Sequence, residues 1–322
     1  MSNRIAVSYR RFAELEADGR SPLYAALARG VADDTAVLAF LEPLPAAKQQ
    51  PNLLLAAVRH LCGTPRDWAH FRTLLLDNAD AVRALMLSRR TQTNEPARCA
   101  TLLPVLARLP QPLALLEVGA SAGLCLLPDH YSYCYGSHCV APTSPSRMPV
   151  PLFACDASAS TPLPEAVPHV VWRGGLDLNP IDLDSPDDVA WLETLVWPEQ
   201  VERLARLRAA IAIARDVRPM VVQGDLLVDL PALAAQVPKA ATLVVFHSAV
   251  LGYVADHAAR LRFSETVRGL GAVWISNEAP MVFPAIAAAV DRGDARGRFL
   301  LAVDGDPLAW THSHGATIEW LR

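Results

Sequence analysis

The sequence predicts an α/β chain: a helical N-terminal region followed by a mainly parallel sheet that ends in an antiparallel hairpin. Three observations carry this. Residues 1–110 show helix starts and no strand-like alternation. From residue 113 onward, short apolar runs alternate with helical stretches, the pattern of a sheet covered on both faces. Near the C-terminus, two or three short runs are separated by turn residues, as in a hairpin.

Taken in chain order, Ser21-Pro22 reads as an N-cap with proline at the first helical position, Pro51 opens a second helix, and Thr64-Pro65 a longer one running towards Arg90. Asn94-Glu95-Pro96 opens another, ending near Leu109-Pro110, with Asn94 as its cap. Five or six helices are expected here. Leu113 to Val118 is a buried strand, succeeded by a tight turn and then a helix. Residues 136–168 are too rich in proline for helix and read as a long loop, with one extended piece at 151–154. Strands are expected at 169–177, 220–222, 242–246 and 272–276, and helices at 198–215 and 255–270. Phe299 to Val303, the turn Asp304-Gly305-Asp306-Pro307, Leu308 to Thr311 and Thr317 to Trp320 complete the sheet. The expected domains are a helical lid region, 1–110, and a ligand-binding α/β domain, 111–322, with 136–168 as an insertion.

Composition bounds the function. The 322 residues are 52% hydrophobic and 19% charged, enough for a sizeable core. A net charge of −4, with no Lys/Arg-rich run, argues against nucleic-acid binding. No apolar stretch is long enough to span a bilayer, and the first residues lack a signal-peptide pattern. The six cysteines (62, 99, 125, 134, 139 and 155) read as thiols in a reducing compartment. A cytoplasmic protein acting on a small molecule is expected, without nucleic acid or membrane. The spacing of Cys134, His138, Cys139 and Cys155 lacks the paired C-x-x-C of a zinc site, so no metal is expected.

The most informative stretch is Gly119-Ala120-Ser121-Ala122-Gly123, after the first strand. Glycine there lets the chain turn sharply, and small side chains let a ligand approach. With Glu117 at the strand end it reads as an E-x-G-x-x-x-G loop for a nucleotide or S-adenosylmethionine (SAM). It also reads as a G-x-S-x-G nucleophile elbow presenting Ser121, or as a turn that merely packs tightly. Everything before residue 113 reads as helical, which favours the ligand loop, because an elbow comes after earlier strands of its own sheet. The later strand ends agree. Asp177 ends the second strand, where an acid can accept from ribose hydroxyls. Gly224-Asp225 ends the third, where an acid can accept from an adenine amino group.

In this order of signals the chain resembles class I SAM-dependent methyltransferases. It is more closely similar to the bacterial domain-of-unknown-function family 2332. The matching stretches are Ser21-Pro22-Leu23-Tyr24, Thr93-Asn94-Glu95, Glu117 to Leu124, Arg173-Gly174-Gly175-Leu176-Asp177, Trp197-Pro198-Glu199, Gly224-Asp225 and Ser276-Asn277-Glu278. Cys125 stands where asparagine is expected. The resemblance implies a Rossmann-like methyltransferase sheet of seven strands with a closing antiparallel hairpin, SAM as cofactor, and methyl transfer to a small molecule. Glu117, Gly119, Ala120, Ser121, Gly123, Asp177, Gly224 and Asp225 would hold the cofactor.

Further candidates surround this loop. His247, at a strand end, is either a general base or a buried histidine ordering the loop beside it. Glu278 either accepts a proton or caps the next segment. Glu95 and Arg98, with Tyr253 and Asn277, are expected to contact substrate, while Arg173 and Trp197 line the pocket or merely pack. The rival reading is a serine hydrolase with Ser121 as nucleophile, Asp225 or Asp256 as acid, and His312 or His314 as base. A third is a protein that binds SAM or a nucleotide without turnover.

Overall fold

The computed structural model describes residues 2–92, 94–142, 148–290 and 297–321. By compactness the chain divides into two units: residues 1–93 with 185–205, and residues 94–184 with 206–322.

The first unit is helical. Its helices are Ser2–Phe12, Pro22–Asp33, Thr35–Leu41, Pro51–Cys62, Trp68–Asp77, Ala79–Ser88 and Pro186–Thr194, and Val201–Val217 begins in it. The Ser21 hydroxyl accepts from the Tyr24 backbone N–H with Pro22 at the first position, so the cap expected there is present. The single long helix expected from Thr64-Pro65 is instead two. It starts later, with Asp67 capping the His70 N–H, and breaks at Asn78, whose side chain turns back onto the Leu74 carbonyl.

Residues 185–205 join this unit through specific bonds. Glu199 accepts from the Ser21 hydroxyl and the Leu23 N–H, at 2.6 and 3.0 Å. Arg89 reaches Asp187 and Asp188, and the Trp191 indole donates to the Arg90 carbonyl at 3.0 Å. Trp197 donates to Asn52 and packs against Phe12 and Tyr24. It is thus partly buried and packs against the core of this unit.

The second unit is built on strands. In chain order they are β1 Leu113–Val118, β2 Ser132–Tyr135, β3 His138–Val140, β4 Leu152–Ala154, β5 Asp156–Ala157, β6 Val170–Asp177, β7 Met220–Gln223, β8 Thr242–Ser248, β9 Val273–Glu278, β10 Arg298–Val303, β11 Asp306–His312 and β12 Thr317–Trp320. Nine of them form one mixed sheet in the order β5-β12-β11-β10-β9-β8-β1-β6-β7. β7, β6, β1, β8 and β9 are parallel, and β10 and β11 close this run as an antiparallel hairpin. Every residue of β1 is buried, as a central parallel strand requires. From β1 the chain builds outward through β6 and β7 on one side and through β8 and β9 on the other. Ligands of such sheets sit at this reversal, outside the carboxyl ends of the strands.

Three local expectations are corrected. No α-helix succeeds the loop after β1. Two short 3-10 turns do, Leu124–Leu126 and Pro128–His130, because Pro128 has no N–H with which to continue a helix. The stretch 136–168 is more than a loop: β3 and β4 flank β2 in a small three-stranded sheet, and β5 joins the edge of the large one. The extended piece expected at 151–154 is β4, while 143–147 lie outside the described residues. Finally, Cys134 and Cys139, read as thiols, are joined in a disulfide. They are directly opposed across the β2–β3 hairpin, which turns at Gly136 with φ +61°.

Candidate functional site at the carboxyl ends of the central strands

The Gly119–Gly123 loop is held almost wholly by the protein itself. Gly119, Ser121 and Gly123 have φ of +73°, +52° and +70°, so three alternate residues are left-handed. The Gly119 and Ala120 N–H groups both donate to the Leu176 carbonyl, and Ser121 N–H donates to Asp177 Oδ2 at 2.8 Å. Asn94 does not cap its own helix. Its amide donates to the Ala120 carbonyl at 3.2 Å and accepts from Leu124 N–H at 2.8 Å, while Glu95 caps the turn Pro96–Arg98. Gly119 is required twice over, by its φ and because a Cβ there would lie 1.9 Å from Val250 Cγ2.

The loop backbone is therefore committed, and side chains are left to meet a ligand. Glu117, 4% exposed, leaves Oε2 without a hydrogen-bond partner. Ser121 Oγ, Ser248 Oγ and Asn277 Nδ2 are likewise buried and unpartnered. Each belongs to β1, β8 or β9 or comes directly after one of them, beside the reversal. Burial, then the nearby Cys125 thiol, pushes the Glu117 carboxyl well above the usual carboxylate range, and Arg98 opposes this. Arg98, 9% exposed, donates from Nε to the Ser313 carbonyl and from Nη1 to the Ser248 carbonyl, at 2.9 and 3.1 Å. The Asn277 side chain is fixed by Thr311, whose hydroxyl donates to Oδ1 at 2.8 Å.

Asp177 and Asp225 lie on the other arm of the sheet. Asp177 accepts from Ser121 N–H and Asn179 N–H. Gly224 donates to the Asp177 carbonyl, and a Cβ on it would meet Asp229 and Leu176 at 2.7 Å. Asp225 is exposed and accepts from Leu227 N–H in its own turn.

His247 and Glu278 form a separate buried network. Trp274 Nε1, which can only donate, points at His247 Nε2 at 3.0 Å. Nε2 is thus the acceptor, and Nδ1–H donates to Glu278 Oε1 at 2.8 Å. The same oxygen accepts from the Val250 and Leu251 N–H groups. His247 is completely buried against Phe263, Trp274 and Phe283. In this geometry neither ring nitrogen is free to take a proton from a substrate. The pair orders the segment 249–253 after β8, where Tyr253 is 78% exposed.

The hydrolase constellation does not assemble among the described residues. Ser121 has the positive φ of an elbow, but its Oγ bonds to no histidine. His312 Nδ1 accepts from His314 N–H, and Asp256 caps its own helix. Arg173 holds Asp129 through two bonds of 2.9 and 2.6 Å, and also the Leu126 carbonyl, clamping the turns that replace the expected helix.

Sequence reasoning did not single out Asn94 as a loop clamp, Ser248 or Thr311. The motif Thr93-Asn94-Glu95 and the strand end His247-Ser248 were visible signals. Thr311 had none, because its partner lies 34 residues earlier on β9.

A family profile described as an uncharacterized protein conserved in bacteria (DUF2332) matches residues 6–320. No curated protein and no solved structure matches the chain.

Proposed function

The chain belongs to that bacterial family, and from this premise we propose that it is a SAM-dependent methyltransferase acting on a small molecule. The observation that carries the reading is Glu117: a buried carboxyl at the end of β1, beside the sheet reversal, with an oxygen that nothing in the protein satisfies. A buried polar atom without a partner costs about 1–3 kcal/mol. A ligand that donates to this oxygen would remove that cost. The parallel order β7-β6-β1-β8-β9 and the acids ending β1, β6 and β7 add support, being what a Rossmann-like methyltransferase would carry.

The unpartnered Glu117 and Ser121 side chains fit a polar cofactor. Glu117 and Ser121 would hold its amino-acid end, Asp177 the ribose and Asp225 the adenine, with Gly119, Ala120, Gly123 and Gly224 giving those side chains their close approach. The chemistry such a cofactor supplies is an activated methyl group on a sulfonium, transferred by in-line displacement. Alignment and exclusion of water can drive that transfer without a dedicated base. This agrees with a site in which His247 and Glu278 position the segment 249–253 rather than move a proton.

The test is calorimetric binding of SAM and S-adenosylhomocysteine to the purified chain, with Glu117→Ala and Asp177→Ala alongside. Micromolar binding, weakened in both variants, is expected. No binding to folded protein would sink the reading. Ser121 labelled by an active-serine phosphonate would favour the hydrolase, for which its positive φ is the one supporting feature. Tight binding without turnover would favour a non-catalytic binder.

A further inference from the structure

We propose that Arg98, Ser248 and Asn277 form an anion pocket that takes a carboxylate of the methyl-accepting substrate; the word substrate here rests on the methyltransferase reading above. Arg98 stands without an ion-pair partner among the described residues. It is nine-tenths buried, yet among the described residues no carboxylate oxygen lies within 4.0 Å of it. Its two hydrogen bonds go to backbone carbonyls, from Nε and Nη1, and Nη2 makes none. Arg98 draws the nearby Glu117 carboxyl down, but burial outweighs this and holds Glu117 towards the neutral form. A buried cation is expensive unless a negative partner meets it.

The neighbouring unpartnered atoms share one character: they can donate. Asn277 Nδ2 is a donor only, since Thr311 occupies Oδ1 and fixes the amide, and Ser248 Oγ–H is free to turn. Ser248 and Asn277 are register partners on β8 and β9, and Arg98 is bonded to the carbonyl of Ser248 itself. A guanidinium fork with an amide and a hydroxyl is a donor set for a planar carboxylate. A neutral acceptor could meet these donors but would not balance the charge on Arg98, and a cation would add to it.

Position assigns the carboxylate to the acceptor. Arg98 spans the end of β8 and the turn after β11, and Asn277 is tied to β11. Asp177 and Asp225 lie on the opposite arm, at the ends of β6 and β7. The nucleoside end of the cofactor and the anion pocket are thus on opposite sides of the sheet reversal.

The experiment uses the full chain with saturating S-adenosylhomocysteine. Acetate and benzoate are compared with acetamide and benzamide by thermal shift and calorimetry. The carboxylates are expected to raise Tm in a saturable way and the amides not. Arg98→Gln should weaken the carboxylates by about tenfold or more, with Arg98→Lys intermediate, since lysine keeps the charge but loses the fork. Ser248→Ala, which removes no protein–protein hydrogen bond of the side chain, should weaken them several-fold in a normally folded protein, so the test survives if Arg98→Gln fails to fold. Carboxylates that act equally on the wild type and on both Arg98 and Ser248 variants would overturn the proposal. So would an Arg98→Gln protein that loses S-adenosylhomocysteine but keeps methylthioadenosine, since Arg98 would then hold the cofactor's own carboxylate. Carboxylate binding that depends on Arg98 in a protein that binds no S-adenosylhomocysteine would uphold the pocket and sink the methyltransferase reading instead.

Discussion

Asp177 Oδ2 accepts the Ser121 backbone N–H at 2.8 Å, across 56 residues of sequence. The acid at the end of β6 therefore fixes the loop at the end of β1. Its other oxygen fixes the turn at Asn179. A hydrogen bond to a charged group contributes about 1.5–3 kcal/mol. Asp177→Ala should lower unfolding free energy by about that amount, and Asp177→Asn by less, because its amide oxygen still accepts one bond. Urea unfolding of the three proteins checks this; equal stability would show that the loop does not depend on Asp177.

Glu278 carries three donors on one oxygen. Glu278→Ala leaves His247 Nδ1–H and the Val250 and Leu251 N–H groups without an acceptor. A loss of about 3 kcal/mol or more is expected. Trp274→Phe removes the donor to His247 Nε2 and also leaves a cavity where the indole is fully buried, so it should cost more than the ~1–3 kcal/mol of the unmet nitrogen alone. If His247 were a general base, its substitution would change the pH profile of turnover. In the positioning role, activity falls in Glu278→Ala with the shape of the profile unchanged.

Glu117 gives a pH dependence of definite sign. Its carboxyl is raised well above 4.5 by burial, so the unfolded chain ionises first as pH rises. The stability it contributes is fully present below about pH 4 and is lost progressively as pH rises towards the folded value. Glu117→Gln keeps the shape and removes the titration. The Tm of this variant relative to wild type should climb between pH 4 and 7. A constant difference would show that Glu117 titrates normally.

The cysteine inventory is directly countable. Denatured without reductant, the chain should show the four thiols Cys62, Cys99, Cys125 and Cys155, and with reductant all six. Cys134→Ser should lower stability by about 2 kcal/mol, the loop-closure entropy of so short a ring. Six thiols without reductant would mean that the β2–β3 hairpin forms without its bridge.

Legibility differed by element. Apart from the two-residue edge strand β5, which lay in the expected loop, the strands of the large sheet were readable as short, largely apolar runs bounded by turn residues, and β1 and β6 fell within a residue of expectation. The helix expected after Gly123 was not. The small residues predicted a turn correctly, but Pro128, a few residues on, stops the chain from continuing as a helix. Asn94 shows the same limit within a site. Beside Glu95 and Pro96 it reads as a cap, and only the fold brings Ala120 and Leu124 within its reach.

What the sequence by itself determined is the kind of chain and the order of its parts: helices first, then strands, with Glu117, Asp177, Gly224-Asp225, His247 and Glu278 each at or just after a strand end. These have local causes, in periodicity, proline and glycine, that act over a few residues. What only the tertiary structure decided is which of these residues are already satisfied. His247 lost its freedom to Trp274 and Glu278, 27 and 31 residues away, while Arg98 is held by carbonyls drawn from residues 248 and 313 with no ion-pair partner among the described residues. Whether a polar atom is met or left open depends on partners distant in sequence, and only packing brings them together.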